Sequence, residues 1–299
     1  MTDSGRIEPY QFKHKGRVPP PAGIYAAQLR AMDCPLKSGL RFELDLTAPP
    51  QSTDPRYRPV PHIPLTAGSS TTALVLLEGL QTGLGNFSQV WTARVEAAPE
   101  TILILKIIQP SMCYSADEEG WIENFEPDDL AGYDEWGYEH LQEKQGLSVP
   151  YFLGKHQIIT PSGEEAWALV LEYIPGPTLS AVCDSKVWDD VHTAFDLGFE
   201  FVREITDMGL FLNDVRGPNF ILTGPPDSRQ VVGIDFVPIG PLGATKDRTK
   251  IFQEEEFFHV MMTNFVAGSE DSLEMIKWAR DKYPNKAHIW DKHATRSGL

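Results

Sequence analysis

The sequence predicts an α+β protein with two lobes, the first rich in β-strands and the second mainly helical. Between residues 71 and 174, short apolar runs alternate with turn residues, which is typical of antiparallel strands. After a Pro/Gly-rich break, "PGPTLS", apolar residues recur at helical spacing, as in "VHTAFDLGFEFVREITDM". We therefore expect a β-rich lobe over 71–174 and a helical lobe over 175–299, preceded by a separate segment over 1–70.

The N-terminal segment, residues 1–70, is rich in proline and polar residues, as in "RVPPPAG" and "TAPPQSTDPRYRPVPHIP". Such a composition does not favour a packed core, so we expect an arm that is partly extended or disordered. Within it, "GIYAAQLRAM" is typical of a helix and "LRFELDL" alternates like a strand. The arm is also a candidate contact for a protein partner.

The β-rich lobe begins with three strand-like runs, "TTALVLLEGLQ", "FSQVWTARV" and "TILILKII", joined by the turns "TGLGN" and "EAAPE". An acidic stretch over 115–136 is then typical of a solvated loop. "DEWGYEHLQEKQG" predicts a helix that ends at Gly146. Two further strand-like runs, "VPYFLGKHQII" and "EAWALVLEYI", complete a predicted sheet of about five strands.

The second lobe begins with a long helix, because apolar residues from Val191 to Met208 recur at helical spacing and Gly209 follows them. Three short strand-like runs come next, "LFL", "NFILTG" and "QVVGIDFV". Two more helices are predicted, in "EEEFFHVMMTNF" and "SEDSLEMIKWARDKY".

Charge and cysteine content restrict the class of function. The net charge of −16 disfavours nucleic acid and anionic membranes as partners, because both attract basic surfaces. The three cysteines are far apart and form no CxxC pair, which is typical of a reducing compartment. The N-terminus lacks the basic and apolar regions of a signal peptide, and no apolar run is long enough to span a membrane. We therefore expect a cytoplasmic protein.

Two glycines and a charged pair in the first lobe suggest a phosphate site. Gly83 and Gly85 lie in the first strand-to-strand turn, where glycine lets backbone amides approach a phosphate closely. Lys106 is the one charged residue in "ILILKII", and a charge within an apolar strand is costly unless it is paired or functional. Glu135, on the following helix, is its predicted partner.

Three more polar residues follow in the second lobe. Asp214 and Asn219 share the loop "LNDVRGPN", and Asp235 ends the apolar run of "GIDFV". Asp and Asn oxygens suit Mg²⁺, and a separate Asp can accept a proton from a hydroxyl. Each residue alone is equally typical of a turn or a strand end. Their occurrence together, after the glycine turn and the lysine strand, favours a nucleotide site.

Over residues 74 to 240 the chain resembles the protein-kinase-like phosphotransferases, and within them a group of small fungal kinase-like proteins. "GLGNFSQVW" resembles the glycine-rich loop GxGxxGxV, and "LILK" resembles the strand-three lysine motif. "LVLEYIPGPTL" resembles the hinge, "LNDVRGPN" the catalytic loop HRDxxxxN, and "IDFV" the DFG motif. The resemblance implies a bilobal fold with a shortened C-lobe, and ATP and Mg²⁺ as cofactors.

The resemblance also implies a role for each matching residue. Lys106 would hold the α- and β-phosphates and be positioned by Glu135, and Asp214 would be the catalytic base. Asn219 and Asp235 would hold Mg²⁺, and Arg216 would lie near the γ-phosphate. The remaining nucleotide-binding positions lie in the glycine-rich loop and the hinge. They are Gly83, Gly85, Phe87, Ser88, Val90, Leu171, Glu172, Tyr173 and Ile174.

Three interpretations follow from these motifs. The first is an ATP- and Mg²⁺-dependent phosphotransferase that acts on a hydroxyl of a small molecule or a protein. The second is a pseudokinase that binds nucleotide or serves as a scaffold, because Leu212, Asn213 and Val237 replace the His, Arg and Gly of the catalytic motifs and no APE motif follows. The third is an unrelated α+β protein in which the motifs occur by chance.

Overall fold

The chain has an α+β fold in a computed structural model that divides into two compact units, one ending at Tyr173 and the other beginning at Ile174. The structure describes residues 17–18, 22–49, 52–64, 71–84, 86–113, 122–123, 126–212, 214–236, 239–241, 246–262 and 269–286. Among these residues, no helix is both long and apolar enough to cross a membrane.

The first unit is built on one antiparallel sheet of six strands. Its elements are β1 (Arg17–Val18), α1 (Ile24–Asp33), β2 (Arg41–Asp45), β3 (Thr71–Gln81), β4 (Gln89–Val95), β5 (Ala98–Ile108), β6 (Ile122–Glu123), α2 (Pro127–His140), β7 (Phe152–Ile159) and β8 (Glu165–Glu172). The strand order is β2-β3-β4-β5-β8-β7, and β1 and β6 form a separate antiparallel pair. The predicted strands of this unit are confirmed, and β2 adds a sixth to the expected five.

One face of this sheet carries the apolar core. Alternate residues of a strand point to the same face, so Leu103, Leu105 and Ile107 of β5 all contribute to it. Leu36 and Leu44, from the N-terminal segment, belong to the same core. The described part of that segment is therefore integrated into the first unit through β2 and its apolar side chains.

Arg58 fixes an extended part of the N-terminal segment to the end of β8. Its guanidinium donates to both carboxylate oxygens of Glu172, at 2.8 and 2.9 Å, and to the carbonyl oxygen of Val149 at 2.9 Å. The Tyr151 hydroxyl donates to the Arg58 carbonyl at 2.9 Å. Both charged side chains are largely buried, at 13% and 9% exposure, so the pair is held in a fixed geometry.

Helix α2 begins earlier than its apolar pattern predicted. Pro127 occupies the first turn together with Asp128 and Asp129, and both residue types are favoured at a helix N-terminus. The prediction of a solvated loop over 115–136 is therefore wrong from residue 127 onward. The helix also ends at His140, before the predicted stop at Gly146.

The second unit combines helices with two short antiparallel strand pairs, β10 with β11 and β9 with β12. Its elements are α3 (Leu179–Ser185), α4 (Trp188–Asp207), β9 (Leu210–Leu212), β10 (Phe220–Thr223), β11 (Gln230–Gly233), β12 (Ile239–Pro241), α5 (Lys246–Met262) and α6 (Glu270–Lys282). The ring of Phe199 on α4 contacts that of Phe257 on α5, with centroids 5.1 Å apart. Gly198 permits this approach, because a Cβ there would lie 2.2 Å from the Phe257 ring. The three helices predicted for this unit are confirmed, although α5 begins at Lys246, before the predicted segment "EEEFFHVMMTNF".

Candidate functional site

Lys106 lies at the centre of the six-stranded sheet and is paired with a buried carboxylate. On β5 it is opposite Val90 of β4 on one side and Leu169 of β8 on the other. Its Nζ is 2.5 Å from Oδ2 of Asp134 on α2, and the two side chains are 9% and 0% exposed. A charge pair this deeply buried is strongly coupled, because removing one partner leaves the other charge uncompensated.

The predicted partner of Lys106, Glu135, does not make this contact. Its carboxylate forms an ion pair with Lys155 of β7 instead. The physical reason is helical phase. The buried stripe of α2 passes through Leu130, Asp134 and Tyr138, which are spaced four residues apart, and Glu135 is rotated away from it. In the sequence, this four-residue spacing from Leu130 and Tyr138 indicates that Asp134 lies on the buried side of the helix.

The glycine turn connects β3 to β4 beside Lys106. Gly83 has φ of +98°, a conformation that favours glycine, and Gly85 lies outside the described residues. Phe87 is exposed, whereas Ser88 is buried and its carbonyl accepts from Gln81 Nε2 at 3.0 Å. Val90 follows on β4, directly opposite Lys106. Val90 and Lys106 are therefore direct neighbours on adjacent strands, and a Cβ added at Gly83 would have no atom within 4 Å.

The predicted hinge residues continue from the same sheet face. Leu171 is buried and lies two residues after Leu169, so its side chain is on the face that carries Lys106 and Val90. The Glu172 amide donates a hydrogen bond to the Tyr151 carbonyl at 2.9 Å. This backbone N–H is therefore already used within the protein and is not available to a ligand. Tyr173 is 39% exposed, and Ile174 is buried and begins the second unit.

In the second unit, the loop between β9 and β10 holds Asp214 and Asn219 together. Asn219 is 6% exposed, and its Nδ2 donates to the Asp214 carbonyl at 3.0 Å and to Asp214 Oδ2 at 2.9 Å. Position 217, between them, has no room for a side chain, because a Cβ on Gly217 would be 2.3 Å from Ser180 Oγ. The loop is therefore a packed structure in which the amide of Asn219 orients the carboxylate of Asp214.

Asp235 joins this loop from the end of β11. The Ile234 amide donates to the Asn219 carbonyl at 2.8 Å, which ties the two segments together. Asp235 has φ of +61°, an unfavourable conformation for a residue other than glycine that is often found at functional sites. Arg216 bridges the carboxylates, with its Nε 2.9 Å from Asp214 Oδ2 and its Nη2 4.0 Å from Asp235 Oδ2. These four predicted site residues, Asp214, Arg216, Asn219 and Asp235, form one cluster.

Glu256 of α5 is a further acidic residue that the sequence did not indicate. Partial burial raises the pKa of its carboxyl above the ordinary value, and the negative charge of Asp214 raises it further. Glu256 therefore lies within electrostatic reach of Asp214. No local motif marks it, because the two residues are brought together only by the packing of α5.

The chemistry of the cluster fits a magnesium ion that also binds phosphate. Asp214, Asn219 and Asp235 border a cavity of about 10 Å³, about the minimum for one water molecule, and most of its other lining residues are apolar. Asn219 uses its Nδ2 toward Asp214, and its Oδ1 is the acceptor atom of the same amide group. In the described part of the chain, no group of three or more His, Cys, Asp or Glu is arranged to hold a metal on its own. Two protein oxygen ligands completed by phosphate and water are common for Mg²⁺.

The sequence matches no protein-family model and no curated protein. Within the structure, the predicted site residues form two groups, one in each unit. The first contains Lys106, Val90 and Leu171 on one sheet face, together with Asp134. The second is the cluster around Asp214. The first group contains a buried ammonium–carboxylate pair, and the second contains two carboxylates, an amide and a guanidinium.

Proposed function

We propose that the protein is an ATP- and Mg²⁺-dependent phosphotransferase with a bilobal, protein-kinase-like fold. It transfers the γ-phosphoryl group of ATP to a hydroxyl of a small molecule or a protein. The observation that carries this proposal is the convergence of Asp214, Arg216, Asn219 and Asp235. A residue that only closes a turn needs a bond to the backbone, whereas the buried Asn219 donates both to the Asp214 carbonyl and to the Asp214 carboxylate, which orients that carboxylate.

In this proposal Asp214 is the base. It accepts the proton of the acceptor hydroxyl while that oxygen attacks the γ-phosphorus, and the bond to the leaving ADP oxygen breaks. The hydrogen bond from Asn219 supports this role by fixing the carboxylate. Arg216 is 54% exposed, so its guanidinium can turn from the two carboxylates toward the γ-phosphate at small cost.

The first unit would bind the nucleotide. Lys106 binds the α- and β-phosphates, and its pairing with Asp134, rather than Glu135, fixes the ammonium. Val90 and Leu171 supply apolar contacts to adenine, and the backbone after Leu171 supplies hydrogen bonds. Bound Mg²⁺, held by Asn219 and Asp235, would neutralise phosphate charge.

A pseudokinase that binds nucleotide without turnover is the second candidate. The observation that favours it is the ion pair of Arg216 with Asp214, because this pair neutralises the carboxylate that acts as base in the first proposal. The two candidates agree on nucleotide binding and differ on the consequence of removing Asp214.

Nucleotide binding is tested by thermal unfolding with ATP, with and without Mg²⁺. We expect a Mg²⁺-dependent rise in melting temperature, equivalent to about 2.7 kcal/mol at one hundred times the dissociation constant. Asp235→Asn should remove the Mg²⁺-dependent part. Asp227→Asn, an exposed residue of the same unit, is the matched control and should retain it. The absence of any shift at millimolar ATP would contradict both candidates.

Turnover is tested by measuring ADP released from ATP, with water as the acceptor. Asp214→Asn should bind ATP normally and lower the rate by about 10²- to 10⁴-fold, because general-base assistance is lost. Asp227→Asn again serves as the control and should retain the rate of the unmodified protein. Equal background rates in all three proteins would leave the pseudokinase as the correct assignment.

A further inference from the structure

Helix α2 also lines a surface cavity of about 300 Å³ on the first unit. We call it the α2 pocket. Its lining includes Asp128, Glu135, Trp136 and Glu139 of α2, Lys155 of β7 and Trp167 of β8. None of these residues has a role in the proposed phosphotransfer.

One wall of the α2 pocket already holds a cation. The Lys155 ammonium lies 5.0 Å from the centroid of the Trp167 ring and forms an ion pair with Glu135. Trp167 Nε1 donates to Asp128 Oδ1 at 2.6 Å, which fixes the orientation of that indole. An indole face and a carboxylate here enclose a positive charge, an arrangement that stabilises cations by electrostatic attraction to both groups.

The lining of the α2 pocket also contains a second indole and a further carboxylate. Trp136 and Glu139 are three residues apart on α2 and are therefore neighbours on its surface. The Trp136 ring stacks on His140 with centroids 3.9 Å apart, which holds its indole in place. Among the residues that the structure describes, no cation forms an ion pair with the carboxylate of Glu139. The α2 pocket thus contains two indole–carboxylate pairs and one internal cation.

We propose that the α2 pocket docks an arginine side chain of a partner protein against Trp136 and Glu139. A guanidinium group is planar, so it can stack on an indole while it donates two hydrogen bonds to a carboxylate. Three carboxylates and one ammonium give the pocket a negative charge, and the chain carries −16 overall, so a basic segment is attracted to this surface. The volume is at the lower end of ligand pockets, which fits one side chain better than a whole cofactor.

The proposal is tested by NMR of the full chain labelled with ¹⁵N. The probes are the peptides acetyl-Gly-Arg-Gly-amide, its glutamine analogue and its lysine analogue. We expect the arginine peptide to shift the indole N–H signals of Trp136 and Trp167 in a saturable way, and the glutamine peptide to leave them unchanged. Equal shifts with the glutamine peptide would overturn the proposal, and equal affinity for the lysine peptide would overturn the assignment to arginine.

Two matched variants separate a local contact from bulk charge. Glu139→Gln should weaken binding of the arginine peptide about two- to fivefold, as expected for loss of one exposed ion pair. Glu100→Gln makes the same charge change at an exposed position of the first unit outside the pocket and should leave the affinity unchanged. Equal weakening by both substitutions, in variants with unchanged melting temperature, would show that general charge alone attracts the peptide and would refute the site.

Discussion

The charged site residues of the first unit and those of the second unit differ sharply in burial. In the first unit, the Lys106 and Asp134 side chains are 9% and 0% exposed. In the second, the side chains of Asp214, Arg216 and Asp235 are 34%, 54% and 31% exposed. The first pair is a fixed part of the structure, because neither charge can be solvated if its partner is lost. In the second group, the half-exposed Arg216 can exchange its carboxylate partners for water or ligand at small cost.

This difference suits two different tasks. An ammonium group whose position is fixed before binding is preorganised, so an anionic ligand binds to it without the cost of ordering that side chain. A group that must release one partner and take another is served best by side chains that still reach solvent. Arg216 fits the second description, because it bridges two carboxylates and is the most exposed of the three residues.

The largest effect is expected from breaking the buried pair. Asp134→Ala leaves Lys106 charged and uncompensated in the interior, and we expect it to lower the free energy of unfolding by about 3–5 kcal/mol. Glu135→Ala is the adjacent control, and it should lower that free energy by about 1 kcal/mol or less, because its pair with Lys155 is partly solvated. Urea unfolding measures both. A larger loss for Glu135→Ala would show that Glu135, as the sequence predicted, is the partner that matters.

A somewhat smaller effect is expected from detaching the N-terminal segment. Arg58→Ala leaves the Glu172 carboxylate without its guanidinium, and we expect the free energy of unfolding to fall by about 3 kcal/mol. Arg56→Ala removes an equally charged side chain from the same segment, but this side chain is 75% exposed and forms a salt bridge with Asp54, two residues away. Its effect should be much smaller. Similar losses for the two variants would mean that the buried contact with Glu172 contributes little to stability.

Local patterns in the sequence were sufficient for most elements of the fold. The residues that are buried in α4 are those that recur at helical spacing in the sequence. The residues that are buried in β3, β4 and β5 follow the alternation that the sequence shows. The placement of β2 in the sheet was not predictable in this way, because pairing with β3 across a long connection has no local signature. The contact between Arg58 and Glu172 joins residues 114 positions apart, so no local pattern in the sequence could predict it.

The candidate site was predictable where spacing fixes geometry. Asp214 and Asn219 share one short loop, so their proximity could be expected, and the structure shows it. Spacing was less decisive for α2, because Asp134 and Glu135 are adjacent acids and only the helical phase distinguishes them. Glu256 could not have been found, because its proximity to Asp214 depends on how α5 packs in the second unit.

The smallest effect concerns the electrostatic coupling between Glu256 and Asp214. Burial and the charge of Asp214 hold the pKa of Glu256 above its ordinary value, so the folded state binds this proton more tightly than the unfolded state does. The resulting stabilisation is present below the unfolded pKa and is lost as the pH rises through the folded pKa.

Asp214→Asn removes the neighbouring charge, so the pKa of Glu256 should fall and less stability should be lost over that range. Titration of the Glu256 carboxyl by ¹³C NMR measures the shift, with Asp227→Asn as the control. An unchanged pKa in Asp214→Asn would mean that burial alone sets it and that Glu256 does not belong to the cluster.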